Sequence, residues 1–283
     1  MSLGLPAGLA RLLADPLIEE RLSRLPRPEA GFGVDPFGFD PTYLRHLAPL
    51  ATWLYRRWFR VQTRGLAKVP AGRCLLVANH AGQLPWDGLM IGTALFLEAE
   101  PPRVVRSMVE RFVPATPFVS YLLPRIGQIV GTPENARALL AQEELLLVFP
   151  EGVRGLNKTW RERYRLQEFG RGFMRLAIET STPIVPVAVI GSEEQTPSFY
   201  NARALGRLLG LPAFPITPTH PLLPGIGLLP YPSRYQLLFG DPMHFKGDPH
   251  DEDEVIDKRI ALIRVSLQTL IAEGRARRRG VFR

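Results

Sequence analysis

The chain has 283 residues, of which 46% are hydrophobic and 22% are charged. These proportions are those of an ordinary folded protein and exclude global disorder. The formal net charge of +8 attracts either nucleic acid or anionic lipid headgroups, and charge by itself does not choose between them. Cys74 is the only cysteine, which excludes an intramolecular disulfide and favours a reducing compartment.

The beginning of the chain carries no targeting or spanning signal. Residues 1–14 lack the basic start and the long apolar run of a signal peptide. Nowhere in the chain do about 18 uncharged apolar residues occur together, so no classical membrane-spanning helix is predicted. Residues 1–41 are rich in Pro, Gly and Phe after a short amphipathic piece with Leu9, Leu12, Leu13, Leu17 and Ile18. We interpret them as an N-terminal amphipathic helical arm that lies against the main body.

The stretch 42–66 predicts an amphipathic helix that docks on a membrane. Apolar side chains recur there at helical spacing, aromatic residues are mixed in, and no acidic residue intervenes. Its positive charges are Arg45, Arg56, Arg57, Arg60 and Arg64. Such a helix, apolar on one side and basic on the other, suits the lipid–water interface. The alternative is a helix that packs its apolar side on the core and exposes its arginines to water.

Over residues 67–283 short apolar runs alternate with helical patterns. The runs typical of buried strands are 74–78, 104–108, 128–130, 145–149, 184–190 and 235–239. The helical patterns are 88–97, 135–142, 172–180 and 251–274. This alternation predicts an α/β fold with a mixed, largely parallel central sheet covered by helices.

Two of the predicted strands end at reactive polar residues. Asn79 and His80 follow the run 74–78, and Asp87 lies seven residues beyond His80. The block Pro150-Glu151-Gly152-Val153-Arg154-Gly155 follows the run 145–149. In open α/β sheets ligands bind outside the carboxyl ends of the strands. A carboxylate beside a histidine fixes the imidazole tautomer and stabilises the protonated ring, so this pair suits general-base catalysis. A surface histidine near an unrelated aspartate gives the same pattern.

Several other chemistries are disfavoured by missing motifs. No Gly-x-Ser-x-Gly elbow is present, which argues against a serine nucleophile. The remaining histidines show no metal-ligand spacing, and no Gly-x-x-x-x-Gly-Lys-Ser/Thr loop binds a nucleotide. No recognised nucleic-acid module accompanies the basic charge, so nucleic acid is not expected as a partner.

Three blocks, in this order and spacing, resemble the glycerophospholipid acyltransferase family, typified by lysophosphatidate acyltransferases. They are Asn79-His80 with Asp87, then Phe149-Pro150-Glu151-Gly152-Val153-Arg154, then Ile184-Val185-Pro186-Val187-Ala188. The resemblance covers residues 72–191 well and the flanks only loosely.

The chain departs from the family pattern at three places. Six residues separate His80 from Asp87, where the family usually has four, so a longer loop must fold back to bring the carboxylate to the ring. Val153 stands where the family usually has Thr. The family's middle block, an apolar stretch that ends in a basic residue, is poorly matched by residues 127–131. Arg137 is a candidate for that basic residue.

The resemblance implies transfer of a fatty acyl group from acyl-CoA or acyl-carrier protein to a glycerolipid hydroxyl, most directly that of 1-acylglycerol-3-phosphate. His80 is then the catalytic base and Asp87 the residue that orients it. The substrate-binding residues are Glu151, Gly152, Arg154 and Arg137. Arg154 would pair with an acceptor phosphate, while Glu151 would bind an acceptor hydroxyl or hold Arg154 in position. Alternatively, Glu151 and Arg154 form a structural ion pair.

The resemblance also implies a setting. No cofactor is expected beyond the donor thioester, and the expected partners are a membrane lipid acceptor, an anionic membrane surface and acyl-carrier protein. The expected location is the cytoplasmic face of the membrane, peripheral or monotopic. Basic residues after the second block, Lys158 among them, bind donor phosphates or headgroups, or face solvent. Two other functions stay open: a lipid-binding scaffold without turnover, and a hydrolase in which His80 activates water.

Overall fold

The computed structural model describes residues 15–26, 33–110, 119–208, 214–223 and 226–282. Its helices are α1 (Pro16–Ser23), α2 (Pro41–Trp53), α3 (Trp86–Glu98), α4 (Val119–Arg125), α5 (Pro133–Ala141), α6 (Val153–Leu156), α7 (Gly172–Glu179), α8 (Ser192–Gln195), α9 (Arg203–Leu208) and α10 (Asp253–Arg277). Its strands are β1 (Gln62–Arg64), β2 (Cys74–Ala78), β3 (Val105–Val109), β4 (Ile129–Val130), β5 (Leu145–Val148), β6 (Ile184–Ile190), β7 (Tyr200–Asn201), β8 (Pro215–Ile216) and β9 (Gln236–Phe239).

A central sheet of seven strands has the order β1-β9-β6-β2-β5-β3-β4. Its neighbouring strands pair in parallel, except that β6 and β9 are antiparallel. Strands β7 and β8 form a separate antiparallel pair. The predicted α/β fold with a mixed, largely parallel sheet is therefore confirmed. Because β2, β5 and β6 are adjacent and parallel, the loops that follow them meet at one edge of the sheet.

The sheet is covered on both faces, which explains why its central strands read as continuous apolar runs. Leu76 and Val187 belong to the core cluster that includes residues of α1, α2 and α3. Leu75 and Ile184 belong to the cluster that includes residues of α5, α7 and α10. Successive strand residues point to opposite faces, so one strand serves both cores. Each fully buried leucine side chain stabilises the fold by about 1.5–3 kcal/mol relative to exposure.

The predicted single helix over 42–66 is wrong in its second half. Helix α2 is followed by a π-helical turn, Leu54–Trp58, in which Phe59 N–H donates to the carbonyl of Leu54 at 2.8 Å. Arg60 then adopts a positive φ of 46°, which ends the helical path. Strand β1 follows and pairs with β9. Pairing with β9 satisfies backbone hydrogen-bonding groups of residues 62–64, and this outweighs the helical pattern of the sequence.

Part of the predicted N-terminal arm is described, and it neutralises some of the basic charge of α2 and the turn after it. Ile18 of α1 is buried in the core. Arg45 pairs with Glu19 at 2.9 Å, and Arg56 lies 3.6 Å from Asp15. Of the predicted amphipathic piece, Leu17 and Ile18 lie in α1, and Leu9, Leu12 and Leu13 lie outside the described residues. Within the described ranges, no helix combines the length and the apolar character needed to cross a bilayer.

We expect Cys74, a fully buried residue of β2, to be unreactive in the native protein. Burial raises the pKa of its thiol to about 12, so almost no thiolate is present at mildly alkaline pH. An aromatic disulfide reagent such as Ellman's reagent should release no colour from the folded chain and one equivalent after unfolding in guanidinium. Rapid reaction of the folded protein would show that β2 opens far more easily than its packing indicates.

Candidate active site

His80 and Asp87 form a buried pair at the carboxyl end of β2. The imidazole Nδ1 lies 2.7 Å from Asp87 Oδ2, and the ring stacks on Phe149 with 4.0 Å between the ring centroids. Asp87 Oδ2 also accepts a hydrogen bond from Ala81 N–H at 3.1 Å, while Oδ1 accepts one from Gly88 N–H at 2.8 Å. No residue in the described part of the chain hydrogen-bonds His80 Nε2. The aspartate thus fixes one ring nitrogen and leaves the other for a ligand.

The six-residue loop between the pair folds back, as the sequence predicts. Gly82 and Gln83 both have positive φ, 93° and 66°, which turns the chain sharply. Gln83 N–H donates to the carbonyl of Leu156 at 3.1 Å. The amide of Gln195, in α8, donates to the carbonyls of Gly82 and Leu84 at 3.3 and 3.4 Å. The loop is therefore held by the segments that follow both β5 and β6.

The side chain of Asn79 links the end of β2 to β6. Its side-chain Nδ2 donates to the carbonyl of Val189 at 3.0 Å, and its Oδ1 accepts from Val189 N–H at 2.8 Å. The side chain is fully buried. It thus satisfies two backbone groups on the neighbouring strand just before the chain reaches His80.

Glu151 supports His80 from the loop after β5. Its Oε1 accepts from His80 N–H at 3.0 Å, and its Oε2 accepts from Gln167 N–H at 2.7 Å. The side chain has no exposed surface. The prediction that Glu151 holds Arg154 is wrong, because the only ion pair of Glu151 within the described chain is with Lys158. Both carboxylate oxygens are engaged inside the protein, so the residue positions the catalytic candidate.

Two glycines bring the second block against His80. Gly152 has φ 54° and ψ −144°, a conformation that L side chains rarely adopt, and it turns the chain from β5 into α6. At Gly155 a Cβ would lie 2.7 Å from Glu151 Cβ and 3.0 Å from His80 Cβ. Only glycine therefore permits the close approach of α6. Gly155 ends the block that follows β5, but its role could not be predicted, because the need for a glycine there depends on a contact between distant segments.

The two arginines predicted to bind substrate lie at different places. Arg154, in α6, is about two-thirds exposed and pairs with Glu168 beside the site. Arg137 pairs with Glu179 at 2.8 Å and lies 3.8 Å from Glu134. Glu179 is the last residue of α7, which leads into the amino-terminal start of β6. The structure brings His80, Asp87, Glu151, Gly152 and Arg154 to one edge of the sheet. The prediction that Arg137 joins them is wrong, because α5 carries it back toward the opposite edge.

Lys158 is buried, although the sequence analysis grouped it with surface basic residues. Its Nζ lies 2.8 Å from Glu193 Oε1, and its side chain is 1% exposed. Burial by itself lowers the pKa of Lys158, but the carboxylates of Glu193 and Glu151 outweigh this effect. The pKa of Lys158 is therefore above its ordinary value. Burial also raises the pKa of Glu193 to about 7 against the opposing effect of Lys158. Glu193 was not predicted as a site residue either. Its position just after β6, where ligands bind in such sheets, could have indicated it.

We expect Asn79→Ala to destabilise the fold strongly. The change leaves Val189 N–H and C=O without partners in the core, and each such loss costs about 1–3 kcal/mol. The free energy of unfolding, measured in urea, should fall by about 2–4 kcal/mol. Asn135→Ala removes one partly buried hydrogen bond and serves as the matched control with a smaller loss. Equal losses for the two variants would contradict the importance of the link between β2 and β6.

Comparison with known proteins adds a family context to this geometry. A family model described as Acyltransferase matches residues 60–190, which include every residue of the cluster just described except Glu193 and Gln195. An uncharacterized protein of Mycobacterium tuberculosis (strain H37Rv) is 39% identical over 257 residues, covering 89% of this chain and 72% of that protein.

Two more distant matches carry functional names. A probable 1-acyl-sn-glycerol-3-phosphate acyltransferase of Mycoplasma genitalium is 28% identical over 151 residues, which cover 50% of this chain and 53% of that protein. The crystal structure of the 1-acyl-sn-glycerophosphate acyltransferase PlsC from Thermotoga maritima matches with a TM-score of 0.50 at 15% identity. That match covers 80% of this chain and 79% of the other, and it shows a shared fold.

Proposed function

Because the chain belongs to the glycerophospholipid acyltransferase family, we propose that it moves a fatty acyl group from an acyl thioester to a glycerolipid hydroxyl. The proposed donor is acyl-CoA or acyl-carrier protein, the acceptor is 1-acylglycerol-3-phosphate, and the product is phosphatidate. The single observation that carries this proposal is the 2.7 Å contact between His80 Nδ1 and Asp87, which leaves Nε2 for the acceptor.

The proposed chemistry is a direct transfer with His80 as general base. Nε2 takes the proton of the acceptor hydroxyl as its oxygen attacks the thioester carbonyl. A C–O bond forms, and the tetrahedral intermediate then expels the thiolate by breaking the C–S bond. The thiolate takes this proton from the imidazolium and leaves as a thiol, so His80 returns to its starting state. No covalent acyl-enzyme is needed.

Asp87 supports this step electrostatically. Its carboxylate accepts the Nδ1–H, which fixes the tautomer that presents a basic Nε2, and it stabilises the ring when the ring becomes positive. The carboxylate is fully buried, so water does not screen this interaction. Its oxygens also accept two backbone hydrogen bonds, which hold it in the orientation that His80 requires.

Arg154 is the proposed contact for the acceptor phosphate. Its guanidinium lies at the protein surface beside α6, and its partner Glu168 is more than three-quarters exposed. An exposed ion pair of this kind is weak, so a phosphate can displace Glu168 at small cost. A guanidinium also matches phosphate oxygens with two parallel hydrogen bonds.

We expect His80→Ala to abolish acyl transfer in the purified full chain. Removal of a general base costs about 10²–10⁴-fold in rate, and Asp87→Asn should also lower it strongly. The thiol released from acyl-CoA is measured with Ellman's reagent, and the lipid product is identified by mass spectrometry. His250→Ala is the matched control, because His250 is exposed outside the site. A monoacylglycerol without phosphate, tested beside 1-acylglycerol-3-phosphate, shows whether the phosphate is recognised.

Three outcomes separate the alternatives. Unchanged turnover in His80→Ala would overturn the proposed mechanism. Free fatty acid in place of an acylated lipid would show that water is the acceptor and that the protein is a hydrolase. No turnover with any lysolipid, from either acyl-CoA or acyl-carrier protein, would favour a lipid-binding scaffold.

We also propose peripheral attachment to the cytoplasmic face of a membrane, supported by an apolar rim beside the site. The rim consists of Leu50 and Trp53 of α2, Leu84 of the His80–Asp87 loop, and Leu89 of α3. Between 36% and 56% of each residue is exposed. Helices α2 and α3 pack against each other, so these residues belong to adjoining elements.

An uncompensated charge supports the same surface. Arg57, four residues after Trp53, is exposed and has no ion pair among the described residues. Each such cation near an anionic bilayer contributes about 1 kcal/mol of attraction. Aromatic and leucine side chains beside free arginines are typical of helices that lie in the interface.

We expect the double variant Leu50→Ser/Trp53→Ser to bind anionic lipid vesicles at least about 10-fold more weakly, because it loses apolar surface that would enter the interface. The measurement is cosedimentation with vesicles of anionic and of zwitterionic lipid. Leu262→Ser/Val265→Ser is the matched control, since both residues are exposed on α10, on the opposite face of the sheet. Equal binding by both double variants would contradict the proposed surface.

A further inference from the structure

A buried ion pair lies behind His80, and nothing in the proposed reaction uses it directly. Lys158 Nζ contacts Glu193 Oε1 at 2.8 Å and lies 3.6 Å from Glu151 Oε2. The exposed fractions of these three side chains are 1%, 4% and 0%. Burying charges is costly even when they are paired. A pair in this position therefore calls for a reason beyond stability.

The pair joins the segments that follow β5 and β6. Lys158 comes two residues after α6, and Glu193 belongs to α8. Glu193 Oε1 also accepts from Tyr164 N–H at 3.0 Å, and the carbonyl of Lys158 accepts from the amide of Gln83 at 3.2 Å. The backbone of Lys158 thus contacts the loop between His80 and Asp87, while its ammonium faces Glu151. A displacement of Lys158 can therefore reach the site through Glu151 and through this loop.

We propose that Lys158 and Glu193 are positioning residues for His80 and act on it through Glu151. The inference rests on the proposed acyltransferase function. The ammonium of Lys158, 3.6 Å from Glu151 Oε2, offsets the negative charge of this buried carboxylate. Glu151 accepts from His80 N–H and Gln167 N–H at once, and these bonds set where the imidazole lies. Glu193 holds the ammonium in place and balances its charge.

The charge balance around the ring makes the proposal measurable. Among the described residues, the charged and titratable groups that face His80 or this network are Asp87 on α3, Glu151, Lys158 and Tyr164 on the β5–α7 segment, Glu193 and Glu194 on α8, Tyr235 beside β9 and Arg278 after α10. Removing the positive charge of Lys158 favours the imidazolium form of His80. Glu193, whose pKa is raised to about 7, is ionised above that pH, and removing its negative charge there favours the neutral ring. The two changes therefore move the acid limb of the pH–activity profile in opposite directions.

We expect Lys158→Met to lower kcat/KM by up to about 100-fold, because a small displacement of the base is enough for such a loss. The acid limb should move to higher pH by up to about one unit. Glu193→Gln should move the acid limb to lower pH, with a smaller loss of kcat. In Lys158→Met/Glu193→Gln the acid limb should return toward its original pH while kcat stays low, since Glu151 still lacks its cation.

Lys68→Met is the matched control, because Lys68 forms a surface ion pair with Asp241 away from the site. Urea unfolding of every variant shows how much of each preparation is folded, and the rates are corrected for that fraction. The double variant keeps the test decisive even if Lys158→Met folds poorly, because it removes both buried charges.

A wild-type chain with no acyl transfer would refute the proposed function and not this inference in particular. An active wild type whose acid limb stays unmoved in Lys158→Met and in Glu193→Gln would overturn the inference alone. Wild-type kcat/KM in the folded double variant would overturn it as well.

Discussion

The site depends on the buried carboxylate of Glu151, because it joins loops from two strands that are far apart in the sequence. One oxygen binds the backbone of His80 and the other binds the backbone of Gln167. The parallel pairing of β2 with β5 brings the two loops to the same edge, but pairing alone leaves their relative position loose. A charged acceptor between two backbone donors removes that freedom, since hydrogen bonds to charged groups are stronger than neutral ones.

Around Glu151 the protein places polar side chains where an ordinary core would be apolar. Asn79 binds β6 with both ends of its amide, and Gln195 binds the loop that carries the rim residue Leu84. In a low-dielectric interior each of these groups is costly without its partner, so the arrangement is held as a whole. Apolar packing stabilises the sheet, whereas this polar network fixes the geometry at its edge.

Much of the fold could be predicted from the sequence, because buried parallel strands read as uninterrupted apolar runs. The run 184–190 coincides with β6, and the His80–Asp87 loop folds back as its length requires. The errors came from tertiary contacts that local patterns do not encode. Residues 62–64 join β9 as a strand, and the direction of α5 removes Arg137 from the site. Lys158 belongs to a run of basic residues that local patterns place at the surface, because its partner Glu193 lies 35 residues away in the sequence.

The extended His80–Asp87 loop also fixes how far the His80 ring lies from the protein surface. Leu84 and Pro85 are exposed at its tip, while His80, at its base, is almost entirely buried and held by α8 and the β5 loop. In the proposed membrane-bound state, contact of this tip with the bilayer would hold the imidazole at a fixed distance from the lipid surface. A lipid acceptor whose hydroxyl lies at headgroup level would then reach Nε2 while its acyl chain stays in the membrane. The distance of the acceptor hydroxyl from the bilayer surface would then help to select among lipids.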